Sequence, residues 1–235
     1  MPERRVTERR VAVVTGGSGA IGGAIMVALA ASGHDTVNLD QGGDPPVDLG
    51  REEDVRAAAG AVLESRGRCD VLVHAAAAFD RADLAGLDLA VWRRVQAVNV
   101  ESALLLAQAF VPGMAARGFG RIVFVVSDTV FAPPAGDMLP YVTSKGALVA
   151  LARTLAVGHG ADGIAVTCVA PGLTATPTAQ RDLPAAAFDQ VRERQALPRT
   201  LVPDDVAATV AFLASDGAAA LTGQTLCTDG GLIMR

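Results

Sequence analysis

At 235 residues the chain has room for one large domain or two small ones. With 51% hydrophobic and 19% charged residues it can bury a sizeable core, which excludes a disordered chain. A net charge of −5 argues against nucleic acid as a main partner, because phosphate binding needs a clustered basic surface.

The one basic cluster, Arg4, Arg5, Arg9 and Arg10, reads as a solvated leader, and the first residues lack the apolar stretch of a signal peptide. Val11–Thr15 (VAVVT) follows as a β-branched first strand. Thr15–Gly22 (TGGSGAIG) turns it into a helix over Ile21–Ser32, with Ile21, Ile25 and Leu29 on one face and Gly33 as the stop. Such a turn needs glycine where φ is positive and where backbone must approach a ligand. The helix N-terminus then offers free N–H groups and a partial positive charge to a pyrophosphate. Gly16, Ser18, Gly19, Ala20, Ile21 and Gly22 are therefore the expected phosphate contacts.

Thr36–Leu39 is the second strand, closed by Asp40, 24 residues after Gly16. That spacing suits an acceptor for the adenosine ribose hydroxyls. A carboxylate there repels the 2′-phosphate of NADP, and Gln41 supplies no cation, so the expected cofactor is NAD rather than NADP. The loop Gln41–Pro46 leaves no room for a helix before a shortened third strand at Val47–Asp48. Asp48 and Leu49 are placed to flank the adenine, while Asp48 equally suits the N-cap of the next helix.

Helices near Glu52–Ser65, Leu89–Ala116, Tyr141–Gly158, Ala185–Arg194 and Pro203–Ser215 alternate with strands at Val71–His74, Ile122–Val126, Ala165–Val169 and Gln224–Cys227. This alternation predicts right-handed βαβ units and one doubly wound α/β domain over 1–235, with a parallel sheet of about seven strands covered on both faces. Thr174–Arg199 is expected to form a substrate loop or lid. Cys69, Cys168 and Cys227 are widely spaced, without a CxxC pair or a His cluster, so buried free thiols are expected and neither a disulfide framework nor a metal site. No run reaches the ~18 apolar residues of a membrane span, and the expectation is a soluble cytoplasmic protein.

Taken in order, these segments resemble the short-chain dehydrogenase/reductase family, in its short single-domain branch, over nearly the whole chain. TGGSGAIG is similar to the family's TGxxxGxG turn, Val98–Val100 (VNV) to its helix asparagine motif, and Tyr141–Lys145 (YVTSK) to YxxxK. Pro171–Thr176 (PGLTAT) is similar to the PGxxxT segment, and TGQ…DGG near the C-terminus to the closing signature. The resemblance implies a Rossmann-type oxidoreductase, often a homotetramer, with catalytic Asn99, Ser127, Tyr141 and Lys145. It implies further cofactor contacts at Ala75, Ala76, Tyr141, Lys145, Pro171, Gly172, Thr174 and Thr176. Three departures stand out: Ala20 replaces a glycine, His74–Ala77 (HAAA) stands where the family has NNAG, and Ser127 precedes Tyr141 by 14 residues, one more than usual. Asp128 is the other residue that alignment could put at the serine's place, but RIVFVVS aligns Ser127 without a gap. His74 reads as a structural substitute rather than a catalyst.

Tyr141 and Lys145, four apart, share one helix face. A phenol titrates near ~10, so a base active near neutrality needs a shift of roughly three units, about 4 kcal/mol. The Lys145 ammonium and an oxidised nicotinamide ring both favour phenolate; in ketone reduction the phenol donates its proton instead. By the resemblance, Ser127 holds the substrate oxygen and Asn99 binds a water linking Lys145 to solvent. These roles describe a ketoreductase or alcohol dehydrogenase. The pocket candidates implied by the resemblance, Phe79, Thr129, Phe131, Leu139, Leu173 and parts of Thr174–Arg199, are mostly apolar and suit a neutral, fairly hydrophobic alcohol or ketone; Arg181, Arg192 and Arg194 read as solvated. A homo-oligomer, tetramer or dimer, is expected. Two rivals are an epimerase or dehydratase, disfavoured because the chain ends soon after DGG, and a non-catalytic NAD-sensing protein, disfavoured because both Tyr141 and Lys145 are present. The four-residue spacing of YVTSK also argues against the wider-spaced enoyl reductases.

Overall fold

A computed structural model describes residues 9–234; Arg4 and Arg5 of the basic leader lie outside the described residues. Six strands form one parallel sheet: β1 (Val11–Thr15), β2 (Asp35–Leu39), β3 (Val71–His74), β4 (Gly120–Val125), β5 (Ile164–Pro171) and β6 (Thr225–Thr228), in the order β2-β1-β3-β4-β5-β6. The helices between them are α1 (Ala20–Ala31), α2 (Glu52–Arg66), α3 (Leu89–Gln96), α4 (Ser102–Arg117), α5 (Leu139–His159), α6 (Pro177–Asp182), α7 (Ala185–Arg194) and α8 (Pro203–Leu213).

Side chains alternate across the pleat. Ala12, Val14, Val71, Val73, Val123 and Val125 face α1 and α8, in one core with Ile25, Leu29, Val206 and Val210. Val13, Leu72, Ile122, Phe124, Val166 and Cys168 face the other way, in a second core with Val55, Leu106, Phe110, Met114 and Leu148 of α2, α4 and α5. Because both faces are covered, the inner strands are apolar at successive positions, which is why they read as short continuous runs.

The sheet has six strands among the described residues, not about seven. Val47–Asp48 pairs with no strand, since two residues behind Pro45 and Pro46, which donate no N–H, offer too little ladder to add to an edge. The helix expected over Leu89–Ala116 is two helices joined by a π-helical turn at Ala97–Glu101. Leu89–Arg117 is long and apolar enough to cross a membrane, yet Val95, Ala103, Leu106, Phe110 and Met114 on it are core residues. The lid region holds α7 where expected and, before it, the short α6, started by Thr176 as N-cap, whose hydroxyl accepts the Ala179 N–H at 3.1 Å.

Candidate active site

The order of the sheet reverses between β2-β1 and β3-β4, so the strand ends open a crevice between β1 and β3. The turn after β1 lies there. Gly16 has φ +71°, and a Cβ on it would come within 2.8 Å of the Ala76 backbone; one on Gly22 would collide with the Gly16 carbonyl. Only glycine lets these segments close up. The first turn of α1 has no side-chain cap and no acidic residue, and Ser18, Gly19 and Ala20 are exposed. An uncapped, exposed helix start fits the pyrophosphate of a dinucleotide. Ala20, where the family has glycine, is the first residue of α1, and no non-glycine residue described has positive φ, so the substitution costs the turn nothing.

Asp40 accepts the Ser18 N–H at 3.3 Å and the Gly42 N–H at 2.9 Å. It thereby ties the phosphate turn to the loop after β2 while keeping lone pairs for a ribose. Gln41 donates to Asp48 at 3.4 Å, and Asp48 also accepts the Gly50 N–H at 2.9 Å. The N-cap of α2 is Arg51, not Asp48. The Leu49 side chain lies in the core, leaving its backbone for an adenine. Asn38, which sequence reasoning missed, accepts the Gly17 N–H at 3.0 Å and donates to the Ser18 hydroxyl at 3.1 Å. Its signal was period two: it stands on the Asp40 side of β2, two residues earlier.

At the end of β3 the HAAA turn is held by groups from elsewhere. Thr15 Oγ1 accepts the N–H groups of Ala75 and Ala76, each at 3.1 Å, and lies 2.9 Å from His74 Nδ1. His74 Nε2 lies 3.1 Å from the Asn99 carbonyl. A carbonyl only accepts, so Nε2 carries the proton and Nδ1 accepts from the threonine hydroxyl. Burial first, then the Lys145 charge, push the His74 pKa down to about 3; the ring is neutral and structural, as expected. The π turn aims the Asn99 side chain inward, where Oδ1 accepts the Ala78 N–H at 2.7 Å and Nδ2 donates to the Ala78 carbonyl at 3.0 Å and to Ser144 Oγ at 2.9 Å. Asn99 thus fastens the β3 turn to α5.

Ser127 follows β4, and α5 carries Tyr141 and Lys145 one turn apart. Ser127 Oγ accepts the Thr129 hydroxyl at 2.9 Å and the Thr129 N–H at 3.3 Å. Its own hydroxyl reaches Asp128 Oδ1 at 3.4 Å and also bonds the Tyr141 phenol. Tyr141 packs edge-on against Phe79, ring centroids 4.7 Å apart. Burial pushes the phenol up to about 12, a Ser127 hydrogen bond lowers it, and the charge of Asp128 raises it. Lys145 is fully buried, donates to the Val125 carbonyl at 2.8 Å, and is brought down to about 8 by burial. Its Nζ stands 5.7 Å from the Tyr141 ring centre, so in the protein alone the lysine does little to favour phenolate. Asp128, passed over in favour of Ser127, is buried beside it and pushed up to about 6 by burial and by Asp229.

Pro171 ends β5, and Gly172 donates its N–H to the Thr228 carbonyl at 3.0 Å. Thr174 Oγ1 donates to the Gly172 carbonyl at 3.0 Å, so PGLTAT leaves the sheet beside the end of β6. Ile21 is the second residue of α1, just beyond the glycine-rich turn. Arg181 and Arg192 pair with their neighbours Asp182 and Asp189. Among the described residues no group of three or more His, Cys, Asp or Glu is arranged to hold a metal.

The chain matches the family model described as enoyl-(acyl carrier protein) reductase over residues 20–233. It is 37% identical over 252 residues to a probable short-chain type dehydrogenase/reductase of Bradyrhizobium diazoefficiens, covering 96% of this chain and 88% of the relative. To a probable galactose dehydrogenase of Rhizobium meliloti it is 33% identical over 243 residues, covering 95% and 94%. The crystal structure of the TT0495 protein from Thermus thermophilus superposes with a TM-score of 0.89 at 35% identity, covering 96% of this chain and 98% of that one.

Proposed function

The chain belongs to the short-chain dehydrogenase/reductase family of oxidoreductases, and on that premise we propose that it moves a hydride between NAD and a secondary alcohol or ketone. The observation that carries the proposal is the clustering of Ser127, Tyr141 and Lys145 at the same strand ends as the uncapped start of α1. Ser127 has its acceptor capacity filled by Thr129, which leaves its proton free to swing from Asp128 to a substrate oxygen. Tyr141 Oη donates the proton to that oxygen in reduction and takes it in oxidation. Bound nicotinamide supplies or accepts the hydride. Lys145, an ammonium near neutrality, bonds Val125 in the protein alone and has two further protons for a ribose hydroxyl. Asn99 is a positioning residue: through Ser144 it steadies the helix that presents Tyr141.

NAD is the proposed cofactor because Asp40 accepts the backbone N–H groups of Ser18 and Gly42, which leave its negative charge at the ribose position to repel a 2′-phosphate. The substrate is a neutral alcohol or ketone with an apolar part to set against Phe79 and Phe131. Double-bond reduction, the activity in the matched model's description, is not proposed, since Tyr141 and Lys145 stand only four residues apart. We place the protein in a homo-oligomer.

The test pairs binding with turnover. Purified protein should bind NADH more tightly than NADPH, read by nicotinamide fluorescence, and should oxidise or reduce a secondary alcohol and ketone pair such as cyclohexanol and cyclohexanone. Tyr141→Phe should bind NADH as the parent does while losing at least about 100-fold in kcat. Activity retained in that variant would assign the proton to another group.

A further inference from the structure

We propose that Asp128 reads a second hydroxyl on the substrate, on a carbon next to the one that reacts, so that diols are preferred over simple alcohols. This rests on the reading of Ser127 and Tyr141 as the groups that hold the reacting oxygen.

The Asp128 side chain contributes little to the fold. The turn it begins is closed through its main-chain carbonyl, which accepts the N–H groups of Phe131 at 2.9 Å and Ala132 at 3.2 Å; any residue supplies that. Its carboxyl is nonetheless buried, with 8% of the residue exposed. A buried carboxylate is ordinarily kept by a cation or by several strong donors. Among the described residues no ion pair is formed by Asp128. Its donors are the Ser127 hydroxyl at 3.4 Å and the backbone N–H groups of Thr129 and of Asp128 itself. The other charge that acts on it is Asp229, whose own oxygens accept the Gly231 N–H at 3.0 Å and the Ile233 N–H at 2.9 Å.

The carboxyl borders the two groups proposed to hold the reacting oxygen. It touches Ser127 and is close enough to Tyr141 for its charge to oppose ionisation of the phenol. A group that makes deprotonation harder does not assist that phenol as a base, but it is an acceptor next to Ser127, which would hold the reacting oxygen with Tyr141. A substrate hydroxyl in that place would give the carboxylate a closer donor than the long 3.4 Å contact from Ser127. An ammonium, which gives up far more hydration than a hydroxyl on entering a buried site, is the weaker match. A site built to bond a hydroxyl discriminates strongly against the analogue without it, because the buried acceptor is then left unpaired.

The experiment compares kcat/KM for cis-cyclohexane-1,2-diol, cyclohexanol and trans-2-aminocyclohexanol, each with NAD, in the parent protein, Asp128→Asn and Asp128→Ala. NADH binding by each variant serves as the check on folding. The parent should favour the diol over cyclohexanol by about tenfold or more. Asp128→Ala should bring that ratio near one, mainly through KM for the diol, and Asp128→Asn, which keeps an acceptor oxygen, should fall between. A parent ratio near one, an unchanged ratio in Asp128→Ala, or preference for the amino alcohol overturns the proposal. If the variants fail to bind NADH, the parent ratios decide. If the parent binds NADH tightly but turns over none of the three, the alcohol-oxidising reading itself has failed.

Discussion

His74 stands where the family has asparagine, and the structure shows what a histidine must do to fit. It serves as a neutral ring with one donor and one acceptor, aimed at the Asn99 carbonyl and the Thr15 hydroxyl. Because its folded pKa is depressed to about 3, the unfolded chain takes up a proton first as pH falls, from about 6.5. The stability given by the neutral ring is therefore complete above 6.5 and lost progressively between 6.5 and 3, at up to about 1.4 kcal/mol per pH unit. Asp128, raised to about 6, works the other way between 6 and 4, so the comparison must be internal. His74→Asn should lose less Tm than the parent between pH 7 and pH 4, by thermal denaturation. Equal slopes would mean that His74 takes its proton without cost.

The π turn at Ala97–Glu101 is the element that converts a surface helix into part of the site. An unbroken α-helix would keep Asn99 in line with its neighbours; the one-residue bulge turns it toward Ala78 and Ser144. Asn99→Ala leaves the Ala78 N–H without that partner and releases the link to α5. About 1–3 kcal/mol should be lost, a fall of about 2–4 °C in Tm per kcal/mol. Turnover should fall with it while NADH binding, which the proposed contacts at the glycine-rich turn and Asp40 would dominate, holds. Unchanged turnover would show that α5 keeps Tyr141 in place without this tie. Nothing in AVNVE announces a bulge, since its residues suit an ordinary helix; the resemblance marked Asn99, and the structure supplied the reason.

For the whole molecule two properties emerge from surfaces that separate elements share. The proposed ribose site comprises the glycine-rich turn, the end of β2 and the loop after it, joined through Asp40. Asp40→Ala combined with Gln41→Arg should improve NADPH binding relative to NADH by about tenfold or more, because it removes a repelling charge and adds an attracting one. An unchanged ratio in fluorescence titration would end the assignment of cofactor choice to Asp40. Leu104 on α4, Val157 on α5 and Phe212 on α8 are exposed apolar residues, of the kind a subunit interface covers. Light scattering should return two or four times the 23.9 kDa chain mass; a monomer would refute the expected oligomer.

The alternation of apolar runs and helical periods, with glycines in the first turn, determined by itself the doubly wound sheet, the phosphate turn and the pairing of Tyr141 with Lys145. Those features depend on spacing of a few residues along the chain, which periodicity records directly. The direction of the Lys145 ammonium, the raised phenol, the brace of Thr15 and Asn38, and the burial of Asp128 were decided only by the tertiary structure. Each arises where segments far apart in sequence meet, Thr15 with His74 or Asp128 with Tyr141 and Asp229. Whether a charge lowers or raises a neighbour depends on distance and burial, and a linear sequence carries neither.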